Sequence, residues 1–153
     1  MNNLLLKSYL RCKRKAWLDY KGDKQYKSWS AQSSIKLINQ YKNFNLLTNG
    51  NLFRGLKACE RGYKGVIGLR IKQKLKDNLD AVAYPPLLVK KKGASKLGPF
   101  KYIPVVSKLG NKTTKEHFFE LAFCSILLES FEGVRIDYGL VVSTLKNKLN
   151  SEK

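Results

Sequence analysis

An α/β fold, on the border with α+β, follows from three features of this 153-residue sequence. Apolar residues recur at helical spacing through the first third of the chain. Period-two alternation and β-type runs dominate residues 65–110. A capped apolar helix at 113–133 then separates those strands from a last one. A mixed sheet with helices on its faces is expected, in a single domain over 1–144 with a polar tail at 145–153.

Residues 4–20 read as one helix, because Leu4, Leu5, Leu6, Tyr9, Leu10, Ala16 and Trp17 fall near helical spacing and Gly22 offers a stop. The polar "GDKQYKSWS" (22–30) reads as a loop. A second helix spans 31–43, with Ile35, Leu37, Ile38 and Tyr41 on its apolar side. After the break at "TNGN" (48–51), "NLFRGLKACERG" (51–62) predicts a short helix ending at Gly62. "GVIGLRIKQKL" (65–75) alternates Ile67, Leu69 and Ile71 with small or basic residues, as a half-buried strand does. "AVAYPPLLVKKKG" (81–93) is strand-like with a proline pair at its irregular beginning, and "GPFKYIPVVSKLG" (98–110) is a third strand. In "TTKEHFFELAFCSILLESFEG" (113–133), Thr113 and Glu116 make a capping-box pattern and Gly133 a stop. Its apolar residues nearly encircle it, so burial against the sheet is expected. "VRIDYGLVVST" (134–144) is a last strand.

Composition narrows the function. Lys and Arg number 30 against 11 Asp and Glu, a formal charge of +19, while hydrophobic residues at 43% exclude a disordered basic tail. Self-repulsion of that size is relieved best by a polyanion, so nucleic acid is the expected partner class. No strongly amphipathic basic helix favours a membrane surface, and no apolar run approaches the ~20 residues of a spanning helix. The apolar run in "NNLLLKSYLRC" is too short for a secretory leader. Cys12, Cys59 and Cys124 are scattered and odd in number, which fits reduced thiols in a cytoplasmic protein.

Cations cluster in three places. "KSYLRCKRKAWLDYKG" (7–22) sets Arg11, Lys13, Arg14 and Lys15 around Cys12, ahead of Trp17 and Tyr20. "KKKGASK" (90–96) contributes Lys90, Lys91 and Lys92, and "KLGNKTTK" (108–115) contributes Lys108 and Lys112. Each is a solvated surface when taken alone; together they are expected to form one phosphate-facing rim. The sole histidine, His117, shares a helical face with Glu120 and Cys124, the spacing of metal-ligand types. No second Cys/His cluster completes such a site, and no metal centre is expected. One histidine gives nucleophilic triads little support, and neither "GVIG" nor "GASKLG" matches a phosphate-cradling loop.

The order of these segments resembles the RecB-like nucleases of the PD-(D/E)XK superfamily, in the branch near the CRISPR adaptation exonucleases. "YLRCKRKAWLDYKG" is similar to their N-terminal helix, where Tyr-x-x-Cys precedes basic residues and an aromatic-Leu pair. "YPPLLVKKKGASKLGPFKYIPVVSKLG" resembles the two core strands, and "HFFELAFCSILL" the Gln-x-x-x-Tyr helix. The resemblance covers about Leu4 to Ser143. It implies a restriction-endonuclease-like sheet, Mg²⁺-dependent phosphodiester cleavage and DNA ahead of RNA as ligand. The chain departs from it at the chemistry. The metal-binding Asp after a proline falls at Pro86, (D/E)-x-K falls on Val106-Ser107-Lys108, and Gln-x-x-x-Tyr falls on Glu120 and Cys124. In relatives with an iron–sulfur cluster, one cysteine lies near the N-terminus and three follow the core. Cys12 fits the first place, but no cysteine follows Cys124.

The expectation is a RecB-like domain that binds nucleic acid but is catalytically impaired, a truncated or stand-alone remnant that acts beside a second protein and needs no cofactor. One alternative is an active nuclease with a migrated site built from Lys108, Asp80 and Glu120, with Glu60 as a further ligand and Mg²⁺ as cofactor. Another is a small basic RNA-binding or ribosome-associated protein. With three cysteines spread along the chain, no iron–sulfur cluster is expected, since such clusters normally take four thiolates. Protein purified anaerobically should be colourless; a brown preparation with stoichiometric iron and sulfide would contradict this.

Overall fold

The computed structural model describes residues 1–22, 31–74, 80–108 and 112–143 of the chain, with the side chains of 31–37 excepted. Most of the expected 22–30 loop and the polar tail lie outside the described residues. The fold is mixed α/β: a five-stranded mixed sheet flanked by helices, with a separate two-stranded sheet beside it.

The expected 4–20 helix is two helices, α1 (Asn3–Arg11) and α2 (Lys13–Lys21). Cys12 adopts an extended conformation between them (φ −162°, ψ 121°). Its N–H still donates to the Ser8 carbonyl at 2.9 Å and its own carbonyl accepts from Ala16 at 3.0 Å, so one residue caps both helices. Helical spacing runs unbroken across this corner, which is why periodicity alone does not reveal it. Helix α3 (Ala31–Thr48) continues past the expected end at 43. The expected helix at 51–62 is a short strand, β1 (Leu52–Arg54), followed by one turn, α4 (Leu56–Glu60). Gly55 joins them at φ 83°, ψ −175°, a conformation that glycine tolerates and side chains do not.

The single strand expected at 65–75 breaks at Gly68 (φ 65°) into β2 (Gly65–Ile67) and β3 (Ile71–Lys74), which join different sheets. Pro85 and Pro86, lacking N–H donors, separate β4 (Asp80–Ala83) from β5 (Leu87–Ser95). Strand β6 (Gly98–Lys108) forms the long antiparallel pair with β5, from Leu87↔Val105 to Ser95↔Gly98. Helix α5 (Lys115–Glu132) carries the chain over to β7 (Leu140–Ser143), which pairs parallel with β6. A parallel partner requires such a crossover. The main sheet runs β1-β2-β5-β6-β7, and β3 pairs antiparallel with β4. The last strand is therefore shorter than the expected 134–144.

The core lies between the sheet and α5. Leu87, Leu88, Ile103, Val105 and Tyr102 pack in the same buried cluster as Cys124, Leu127 and Leu128. Helix α5 is buried against the sheet as expected, but on one face only: Phe118, Phe119 and Ile126 are exposed. A helix against a sheet hides the stripe it lays down, and apolar residues outside that stripe stay accessible.

Glu132, in the last turn of α5, is fully buried. Its Oε1 accepts the Tyr102 N–H at 2.9 Å. Burial raises its pKa from 4.5 to about 7, although that hydrogen bond and the charge of Lys101 act in the opposite direction. A carboxyl whose pKa is raised on folding stabilises most below its unfolded value and loses that contribution as pH climbs through its folded value. Wild-type protein should therefore lose stability between about pH 4.5 and 7 through this group. The loss is at most about 3 kcal/mol. Glu132→Gln should flatten that part of the profile, read by urea denaturation at pH 4.5, 6 and 8; parallel profiles would contradict the assignment.

Candidate nucleic-acid interface

The N-terminal helix is fastened to the rest of the domain at three levels. Asn2 caps α1 by accepting the Leu5 N–H at 2.7 Å, as asparagine does at helix starts. The terminal ammonium of Met1 donates to the Asp80 carbonyl at 2.7 Å, and the Val82 N–H donates to the Met1 carbonyl at 2.9 Å. Asn3, 1% exposed, reads the backbone of Tyr84 from both sides: its Oδ1 accepts the Tyr84 N–H at 3.0 Å and its Nδ2 donates to the Tyr84 carbonyl at 3.2 Å.

The same Asn3 Nδ2 reaches Glu120 Oε1 at 3.4 Å, and Lys7 Nζ forms a short ion pair with Glu120 Oε2. Glu120 is only 3% exposed and Lys7 24%. Beneath them Cys124 is buried, and desolvation first, then the charge of Glu120, pushes its thiol up to about 12; it is an inert neutral thiol. Arg11, one turn beyond Lys7, pairs with Glu116 at 2.7 Å.

The first turn of α5 is capped by Thr114 rather than by the expected Thr113, and His117 takes the role assigned to Glu116. The Thr114 N–H donates to His117 Nδ1 at 3.1 Å. Burial, then the charge of Lys7, lowers the His117 pKa, and Lys108 adds to this while Glu120 and Glu116 oppose it. A neutral ring is what an accepting Nδ1 requires. His117 thus sits within the electrostatic reach of both Lys108 and Glu120.

On β6, Ser107 Oγ accepts from Asn43 of α3 at 3.2 Å. Lys108, the next residue, points to the opposite side of the sheet, as strand side chains alternate. There its Nζ donates to Thr113 Oγ1 at 2.9 Å. Val106, on the Lys108 side, is 1% exposed. The β5–β6 pairing begins at Leu87↔Val105, and Pro86 lies one residue ahead of it, outside the strand.

Of the residues considered for a migrated site, Lys108 and Glu120 share the start of α5, but Asp80 does not. It lies four residues before the Tyr84 that Asn3 grips, ~13 Å along the strand. It is half exposed and paired with Lys72 at 3.2 Å. Glu60 ends α4, where its charge acts on buried Cys59. Mg²⁺ takes carboxylate oxygens. Neither Pro86 nor Val106 offers one, and Glu120 already holds an ammonium, so the residues present do not fit that ion. His117, Glu120 and Cys124 do not make a zinc site either, because His117 Nδ1 and both Glu120 oxygens are engaged. Among the described residues no group of three or more His, Cys, Asp or Glu side chains is placed to hold a metal.

The expected single rim of cations is split. Lys7, Arg11, Lys108, Lys112 and Lys115 gather around the start of α5, and Lys13, Arg14 and Lys15 are exposed on α2. Lys91 pairs with Lys101 far along the hairpin, so it lies seven residues, ~23 Å, from Lys108. Lys90 is tied to the Gly62 carbonyl at 2.8 Å and lies 4.9 Å from the Phe100 ring centre. Lys92 pairs opposite Phe100. Asn3 and the backbone of Tyr84 were not among the sequence candidates. The Asn-Asn pair ahead of an apolar run signals a cap, but the contact to Tyr84 spans 81 residues and leaves no local trace.

Among the described residues no helix is long and apolar enough to cross a membrane. No protein-family model matches the chain, and no curated protein matches it either.

Breaking a buried ion pair from one side leaves an uncompensated charge, which costs about 3–5 kcal/mol. Lys7→Met should therefore destabilise strongly in urea at pH 7, and Lys7→Met/Glu120→Gln should recover most of the loss. Strictly additive effects in that double-mutant cycle would show that the pair does not couple.

Proposed function

We propose that this chain is a nucleic-acid-binding domain of RecB-like, PD-(D/E)XK-type descent, with a restriction-endonuclease-like sheet and a disabled metal site. What carries the reading is that Pro86 and Val106 offer no carboxylate while Lys108 stands two residues beyond Val106 at the end of β6. The resemblance expects paired metal-binding carboxylates at the first two positions and the catalytic lysine at the third. Leu87, next to Pro86, pairs with Val105, next to Val106, and neither Pro86 nor Val106 has a side-chain donor atom. Lysine without metal supplies one more phosphate contact, which is binding and not turnover. The formal charge of +19 and the cations around the start of α5 support a polyanion as the ligand.

The alternative of an active, migrated site is weakened by Asp80, which stands ~13 Å of strand away from the Asn3–Glu120 junction. DNA is the proposed ligand ahead of RNA, on the resemblance alone. Each neutralised phosphate releases counterions, so engagement of about 6–8 cations should reduce affinity about 10³-fold between 50 and 200 mM salt. Reversing Lys13, Arg14 and Lys112 to Glu should weaken binding more than reversing Lys91 and Lys92. Affinity indifferent to salt, or absent at 50 mM, would remove the proposal. In a cleavage assay with Mg²⁺ and with Mn²⁺, wild type should match background. Activity that disappears in both Lys108→Ala and Asp80→Asn would instead establish a working site.

A further inference from the structure

Helices α1 and α2 fold back on each other at Cys12, and the angle between them leaves an apolar groove of about 420 Å³ lined by Met1, Leu5, Leu6, Tyr9, Ala16 and Tyr20. That volume is in the range of small-ligand pockets. The side chains of α1 and α2 are held in register by Ser8 Oγ donating to Asp19, which also pairs with Lys15 at 3.2 Å. Both aromatic walls face solvent: Tyr9 is 51% and Tyr20 68% exposed. Each carries its own cation, Lys13 Nζ at 6.0 Å from the Tyr9 ring centre and Lys21 Nζ at 5.1 Å from that of Tyr20.

We infer that this groove binds a base of single-stranded nucleic acid, stacked on Tyr9 or Tyr20 while Lys13 and Lys21 take the flanking phosphates. The inference rests on the nucleic-acid reading above and adds the strand state and the residues that would sense it. The charge is complementary to a polyanion, and the alternation of ring and ammonium matches the chemistry of a stacked base between phosphates. Duplex DNA keeps its bases stacked on one another and offers the groove nothing but phosphate. A membrane surface fits less well. Leu5, Leu6, Tyr9 and Leu10 share one side of α1, but Leu6 packs against the domain core and Leu5 is half-buried, so only part of that side is open to a headgroup layer.

The test is fluorescence anisotropy on the full chain at 50 mM salt. The probes are a labelled oligo-dT of about 12 nucleotides, an abasic oligomer of equal length, and a duplex. Wild type should bind oligo-dT about tenfold or more tightly than the abasic strand. Tyr9→Leu and Tyr20→Leu, which keep the groove apolar, should lose about tenfold on oligo-dT and leave duplex binding within about twofold. Tyr9→Phe and Tyr20→Phe should bind like wild type, since phenylalanine keeps the stacking face. Equal wild-type affinity for oligo-dT and the abasic strand, or Leu variants indistinguishable from wild type, would overturn the groove and leave the binding function standing. Failure to bind any of the three would overturn both. Phosphatidylserine vesicles serve as the last arm: vesicle binding that Tyr20→Leu abolishes, with oligo-dT binding unchanged, would give the groove to a membrane and sink the inference.

Discussion

A carboxylate at position 120 is tolerated in the interior because two groups from another helix come to meet it. Glu120 is 3% exposed, and an ion taken out of water at that depth is costly unless its oxygens are filled. Lys7 supplies the opposite charge and Asn3 a hydrogen bond, and both sit on one side of α1, four residues apart. That single requirement fixes the rotation of α1 against α5. Asn3 simultaneously closes both backbone groups of Tyr84, so the segment ahead of the proline pair is held by the same residue. The turn at Cys12, the groove between α1 and α2, and the placing of Lys7 and Arg11 beside α5 follow from this junction.

The two buried carboxylates of α5 contrast instructively. Glu120 has a cation in direct contact. Glu132 has a backbone N–H on one oxygen and Lys101 acting only through its field, while among the described residues Oε2 finds no hydrogen-bond partner. Two groups of one chemistry on one helix therefore behave differently: the first locks two elements together, and the second becomes sensitive to pH in the neutral range. Tyr102 links the second to the core, since its hydroxyl donates to the Tyr63 carbonyl at 2.7 Å while its N–H serves Glu132. Ionising Glu132 thus places a charge against a strand residue whose ring is wholly buried.

Local signals were legible where local physics decides. Gly133 ends α5 in the left-handed conformation that its position demanded, β5 begins within the strand-like run at 81–93, and β6 falls within that at 98–110. What escaped were corners that periodicity passes through unmarked. Helical spacing continues across Cys12, and strand alternation continues across Gly68, yet each separates two elements. The cap of α5 shifted by one residue because His117 Nδ1 makes the acceptor contact that Glu116, drawn away by Arg11, does not. Of the candidate site, the residues on one element could be grouped from spacing, as Glu120 and Cys124 were. The partners Asn3 and Lys7 come from 113 or more residues away, and only the folded chain puts them there.

On the proposed reading, losing a metal site changes how a basic scaffold meets its ligand. Carboxylates that hold Mg²⁺ repel phosphate until the ion neutralises them. With a proline and a buried valine in their place, the approach to Lys108 carries no such repulsion. On that reading, phosphate would meet Lys108, Lys112, Lys115 and the positive end of the α5 dipole. Glu116 and Glu120 remain nearby, but Arg11 and Lys7 already compensate them. On the proposed reading, the substitutions that remove turnover also strengthen anion attraction at the same spot. The surface is then positive without a cofactor, and α1 extends it onto the aromatic groove. On that reading such a cleft would retain nucleic acid instead of cleaving it, because the metal-binding carboxylates are absent while the cations that hold phosphate remain.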